Sequence, residues 1–196
     1  MRINSTNFRK MELKDLGQVS KLHIEAIPYS INSKMGSRRV ENLYKECLGN
    51  SDFLSLVAVS EGNIVAFISG TKDFSSLSHS AIKSLKLGDL IVLLRHSTPK
   101  ALFLDLMDSF SVSRNLNKNF KNSFILTSWG SDRQISSQVP AAGVYISLIE
   151  ECKILGITEM VADVRKTNIS VANAYLRIGF QIYKTTPLSQ IFLLKI

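Results

Sequence analysis

Cysteine is nearly absent: Cys47 and Cys152 are the only two in 196 residues, too few for a disulfide framework or a thiolate metal cluster. Both fall on the apolar stripes of expected helices, so they read as small buried hydrophobes in a reducing, cytoplasmic setting. Histidine is scarce too, and His79 and His96 have no acidic or thiol neighbours at ligand spacing, so no metal site is expected. No apolar run approaches the roughly 20 residues of a membrane-spanning helix. The longest, near Leu85 to Leu94, is interrupted by Lys86, Gly88 and Asp89 and followed by Arg95. The polar start, Met1 to Lys10, lacks the apolar segment of a secretory signal. There is no internal repeat, no low-complexity tract, no Gly-x-Ser-x-Gly elbow and no Walker loop. What remains is ordinary globular composition, with 45% apolar and 20% charged residues and a mean hydropathy of +0.10.

The chain is basic, with 24 Lys and Arg against 16 Asp and Glu, a net charge of +8 and a pI of about 9.6. Such an excess suggests a polyanionic partner. It is spread evenly, however: 16 basic and 11 acidic residues precede position 121, and 8 and 5 follow. The densest sites are pairs, Arg9-Lys10, Arg38-Arg39 and Arg165-Lys166, not the run of five or more that marks a nucleic-acid arm. No nucleic acid is expected, and a smaller anion suits the pattern better.

Periodicity orders the chain. Phe8 to Met11 reads as a strand, followed by a helix that Asp15 caps and Pro28 ends, and a second helix from Ser37 to Leu48. Phe53 to Val59 and Ile64 to Ser69 form a hairpin around Ser60-Glu61-Gly62-Asn63. Residues 71 to 121 form an insert with helical segments Ala81 to Leu94 and Ala101 to Phe110, separated by Ser97-Thr98-Pro99. After it come a strand at Phe124 to Trp129, a helix from Pro140 to Gly156 and a strand at Glu159 to Val164. A helix from Asn168 to Arg177 and strands at Phe180 to Lys184 and Gln190 to Ile196 complete the chain. The expected class is α/β: one domain over 1–196, a mixed, mostly antiparallel sheet flanked by helices, with a helical insert between the third and fourth strands.

The segment Val164 to Phe180, V-R-K-T-N-I-S-V-A-N-A-Y-L-R-I-G-F, places Asn168, Tyr175, Gly179 and Phe180 across a strand end, a short helix and a turn. It resembles the end of the core of GNAT acetyl-CoA-dependent N-acetyltransferases, and the element order resembles that family over nearly the whole chain. The resemblance implies acetyl-CoA as co-substrate and direct transfer to a primary amine, with Tyr175 as the acid that protonates the departing thiolate. It further implies a splayed fourth strand, whose backbone N–H near Ser128 or Trp129 receives the oxyanion, and an arm of the cofactor passing Asn168.

The family's phosphate loop is represented by Gln138-Val-Pro-Ala141-Ala142-Gly143 and the following Val144. Its chemistry requires backbone N–H groups at a helix start and side chains small enough for phosphate to approach. A second register, with Gly143 as the first glycine, puts Tyr145 where a small residue belongs. Arg133, Arg165 and Lys166 are nearby candidates for anion contact. The strand Phe124 to Trp129 departs from many family members in lacking an acid. His23 is the candidate base, with the right ordinary pKa, beside Glu25 on the first helix, while Asp132 and Glu150 are poorly placed. Tyr29 and the Ser30 to Gly36 loop are expected to shape acceptor specificity. The expected acceptor is a small-molecule amine, with an amino sugar of a surface-glycan pathway as one candidate and a protein N-terminus as another. The insert could cover the acceptor, form a homodimer contact or lie peripherally on a membrane. A second reading, a GNAT-like binding module without catalysis, takes its support from the missing acid and the alanines of the loop.

Overall fold

In the computed structural model, residues 6–83, 87–96, 98–132 and 139–196 are described. Gln138 and Arg133 lie outside the described residues. The strands are β1 (Asn7–Lys10), β2 (Phe53–Ser60), β3 (Asn63–Thr71), β4 (Phe124–Ser131), β5 (Glu159–Arg165), β6 (Gln181–Thr185) and β7 (Ser189–Lys195). The helices are α1 (Leu16–Ala26), α2 (Ile31–Lys34), α3 (Ser37–Leu48), α4 (Phe74–Lys83), α5 (Leu87–His96), α6 (Pro99–Asn119), α7 (Val139–Ile154) and α8 (Ile169–Arg177). The strands form one sheet in the order β1-β2-β3-β4-β5-β7-β6. Neighbours are antiparallel except β4 and β5, which α7 links by a parallel crossover.

The β2–β3 hairpin follows from its turn. Ser60 faces Asn63, and both residues between them, Glu61 at φ 51° and Gly62 at φ 80°, occupy the left-handed region. That is the backbone twist favoured by a two-residue loop between antiparallel strands. One sheet face packs Leu56, Ile68, Leu126, Met160 and Phe192 under α7 and α8, through Val144, Leu148, Cys152 and Tyr175. On the other face, Val57 and Phe67 meet Val19, Leu22, Val40 and Tyr44 of α1 and α3, and Ile125, Val161 and Ile191 meet Val112 and Leu116 of α6. Full burial of each such side chain contributes about 1.5–3 kcal/mol. Burial pushes the thiols of Cys47 and Cys152 up to about 12, in keeping with inert core residues.

Two local expectations change. The Asp15 side chain makes no cap bond. Its carboxylate instead accepts a fork from Arg9 at 2.6 and 2.8 Å and the Glu12 N–H at 2.8 Å, tying β1 to the turn before α1. The insert carries three helices, and α6 runs to Asn119, well past the expected end at Phe110. Its buried stripe is Asp105, Asp108, Val112 and Leu116, so two of its inward positions are acids, and apolar periodicity is lost there.

Those acids anchor the insert. Asp105 accepts Lys34 Nζ at 2.7 Å and an Arg165 guanidinium nitrogen at 2.8 Å, joining α6 to α2 and β5. Asp108 accepts the Thr186 and Ser189 hydroxyls at 2.7 and 2.6 Å and the Leu188 N–H at 3.0 Å. Burial raises the Asp108 carboxyl, but the bonds from Ser189, Thr186 and Leu188 outweigh it and hold the group below the usual carboxylate range. A carboxyl depressed in the folded state stabilises above its unfolded value of about 4 and loses that contribution as pH falls through the folded value. Asp108→Ala is therefore expected to lower stability by about 2–4 kcal/mol at pH 7 in urea melts, and by less at pH 3. An equal loss at both pH values would remove the ionised carboxylate from this account.

Candidate functional site

The parallel β4–β5 ladder pairs Phe124, Ile125 and Leu126 with Met160, Val161 and Ala162, and there it stops. Both strands continue, β4 to Ser131 alongside β3 and β5 to Arg165 alongside β7, but no longer pair with each other. The β3–β4 register changes at the same level: Ser69 faces Ser128 and Gly70 faces Leu126, leaving Thr127 as the extra residue of a bulge. A bulge increases local twist and bends its strand, which directs β4 away from β5. The resulting notch opens into a cavity of about 1130 Å³ bounded by β4, β5, α1, α2, α6 and α8.

Several of the expected residues converge there. Ser128, Trp129, Asn168, Tyr175 and His23 all line the cavity. Tyr175 is 5% exposed, with its ring 4.7 Å from Phe180, 5.6 Å from Trp129 and 5.7 Å from Phe192. Burial, reinforced by Asp163 and Tyr145, raises its hydroxyl above the ordinary phenol range, so it is a neutral donor at physiological pH. Trp129 stacks on Tyr145 at 5.4 Å. The Tyr145 hydroxyl is buried with no hydrogen-bond partner among the described residues.

Asn168 has its bonds inside the protein. Its Oδ1 accepts the Val171 N–H and caps α8, and its Nδ2 donates to the Tyr29 hydroxyl at 3.2 Å. It thus fixes Tyr29, on the cavity wall, to the start of α8. His23 is 4% exposed. Its Nδ1 is 2.9 Å from the Tyr44 hydroxyl, which also meets Ser128 and Ser69, while its buried Nε2 has no partner among the described residues. Burial lowers its pKa to about 4, so the ring is neutral at pH 7.

At the start of α7, Ala141 is half-buried and Ala142 is exposed, with small side chains in the first turn of a helix. Gly143 and Val144 differ from the expectation of phosphate contact. A Cβ on Gly143 would stand 2.6 Å from Phe8 Cε1, so this glycine admits the β1 ring. Val144 is fully buried in the core beneath α7. By position, the N–H groups of both are within the helical ladder, whereas Ala141 lies where a helix has no carbonyl four residues back. Arg165 is committed to Asp105, and Lys166 Nζ donates to the Pro187 carbonyl at 3.0 Å.

One candidate absent from the sequence expectations is Asp163, which lines the cavity from β5 with its side chain exposed there. Burial and nearby Asp108 raise its carboxyl to about 6, against the opposing pull of Arg165. It has no ion pair and no hydrogen bond to another described residue. The signal was present: an acid in the middle of a central strand, E-M-V-A-D-V-R, is rare without a task. The second omission is the α6 wall, where Phe103, Leu106, Met107 and Phe110 line the cavity. Among the described residues no cluster of side chains suits a metal ion, and no helix is long and apolar enough to cross a membrane.

No protein-family model and no curated protein sequence matches the chain. Its fold is similar to that of the paia N-acetyltransferase from Thermoplasma acidophilum in complex with coenzyme A, with a TM-score of 0.63 at 15% identity over 98% of this chain and 99% of that one. The ribosomal-protein-S18-alanine N-acetyltransferase from Escherichia coli gives 0.58 at 15% identity over 98% and 94%. An acetyltransferase of the GNAT family from Staphylococcus aureus Mu50 gives 0.62 at 12% identity over 97% and 99%. At these identities the likeness is one of fold.

Proposed function

We propose that this chain, which has the fold of GNAT-family N-acetyltransferases, transfers acetyl from acetyl-CoA to a primary amine. The observation that carries the reading is the notch between β4 and β5, with Tyr175 on one side and the part of β4 that no longer pairs with β5 on the other. The residues suit the co-substrate. Ala141 and Ala142 leave the first turn of α7 without long side chains, and the buried Tyr145 hydroxyl, beside Trp129, needs an acceptor that a bound chain with amide carbonyls would bring.

Acetyl-CoA would supply the acetyl group as a thioester, whose C–S bond breaks as the amine nitrogen forms the new C–N bond. The protein's share is positioning and proton traffic. A backbone N–H of the diverging segment, at Ser128 or Trp129, faces the carbonyl oxygen on which charge builds. Tyr175 donates its proton to the leaving sulfur and is reprotonated from solvent. Asp163, as carboxylate, attracts the ammonium of the acceptor and takes the proton that the amine must lose to attack. His23 is neutral, and its open Nε2 supplies a hydrogen bond to the acceptor rather than a strong base. A cavity-facing carboxylate answers the missing strand acid and favours catalysis over a binding-only module.

Isothermal titration with acetyl-CoA tests the core of the reading: micromolar binding is expected, and no binding overturns it. A pH series tests Asp163. The groups that face it are Asp108 and Arg165, together with the hydroxyls of Tyr29 and Tyr175. Its carboxyl titrates near 6, so kcat/KM for the amine falls about tenfold per pH unit below that value, and Asp163→Asn abolishes this limb. The sign for stability is the reverse of the Asp108 case. A carboxyl raised in the folded state weakens the fold as pH climbs from about 4 to about 6, so Asp163→Asn also raises Tm at pH 7.5. An amino sugar is one form the acceptor could take, with the sugar hydroxyls needing polar partners on the far wall.

A further inference from the structure

We propose that the acceptor is an amphiphilic primary amine, whose ammonium end is received by Asp163 and whose apolar chain or ring lies along the exposed, cavity-lining face of α6, opposite its buried stripe; this rests on reading the cleft as an acetyltransferase site. Phe103, Leu106, Met107 and Phe110 recur at spacings of three, four and seven, and so share one face of the helix. They are 62%, 50%, 52% and 66% exposed, and all four line the cavity that contains Asp163.

The opposite stripe of the same helix is fastened down. Asp105 holds Lys34 and Arg165, and Asp108 holds Thr186, Ser189 and Leu188. The helix thus cannot roll to bury its apolar face against the sheet without breaking those contacts. An apolar stripe held open over a cavity gains by being covered, in proportion to the area removed from water.

Charge selects the occupant's other end. Arg39 and Arg165 line the cavity, and Arg165 shares the carboxylate of Asp105 with Lys34, while Asp163 carries a carboxylate with no ion pair among the described residues. One charged end and one greasy end, in that order from the notch, describe an alkyl or arylalkyl amine. An amino sugar would lay its hydroxyls against phenyl rings and a thioether, which cannot hydrogen-bond them well.

Initial rates of thiol release from acetyl-CoA, with octylamine, 2-phenylethylamine, ethylamine and glucosamine as acceptors, test this directly. Octylamine and 2-phenylethylamine are expected to exceed both others at least tenfold in kcat/KM. The exposed double variant Met107→Ser, Phe110→Ser is expected to lower kcat/KM for octylamine at least tenfold, mainly through KM, and to weaken octylamine binding in calorimetry by a similar factor. Equal or better use of glucosamine by a protein that binds acetyl-CoA overturns the inference and leaves the acetyltransferase reading standing. Absence of acetyl-CoA binding overturns that reading instead. Octylamine calorimetry then still decides the wall: no weakening in the double variant removes it.

Discussion

Tyr175→Phe is expected to lower kcat for acetyl transfer by about 10²-fold or more, the scale of a positioned general acid, with little change in KM for acetyl-CoA. The substitution is clean because it removes one oxygen and keeps the ring. That ring fills a pocket made by Phe180, Trp129 and Phe192, and a Phe there preserves all three contacts. The hydroxyl lines the cleft, with its pKa raised by burial, so it arrives protonated and able to donate a hydrogen bond to the sulfur on which charge builds. A loss of kcat without loss of Tm separates chemistry from folding. Unchanged turnover would demote Tyr175 to a packing residue of α8.

The second large effect concerns the start of α7. Ala142→Glu is expected to reduce acetyl-CoA affinity at least 100-fold in calorimetry while leaving Tm unchanged or slightly higher. Ala142 is exposed in the first helical turn, where a carboxylate interacts favourably with the dipole by about 0.3–1 kcal/mol. The same carboxylate occupies the place of an incoming phosphate and repels it. Gly143, one residue on, behaves differently. Any Cβ there meets the Phe8 ring, so even Gly143→Ala is expected to cost about 1–3 kcal/mol of stability, or several degrees of Tm, through overpacking. Retained affinity in Ala142→Glu would place the pyrophosphate elsewhere, and a stable Gly143→Ala would mean that β1 yields easily.

Gly143 also shows how one small residue suits two different uses. Small residues after Gln138 suit a phosphate loop, and they suit a helix lying close over β1 equally well. Only the position of Phe8, 135 residues earlier, separates the two uses. The insert is a similar case. The end of α6 was hidden because Asp105 and Asp108 stand on its buried stripe, where an apolar pattern would have announced continuation. Their partners, Lys34, Arg165, Thr186 and Ser189, come from three distant segments and leave no local trace. Asp163 was visible as an anomaly, a charge in a run of Met160, Val161, Ala162 and Val164, although the strand pattern could not say which cavity it faced.

By itself the sequence determined the order of the strands with α1, α3 and α7, the β2–β3 hairpin and the short helix bearing Tyr175. These depend on side-chain period, turn residues and caps, which act over a few neighbouring positions. The tertiary structure alone decided where β4 and β5 part and which carboxylate enters the gap. It also made α6 into one wall of the cavity. Those features come from contacts between residues far apart in the chain, where burial and charge pairing choose among partners that local patterns leave equivalent.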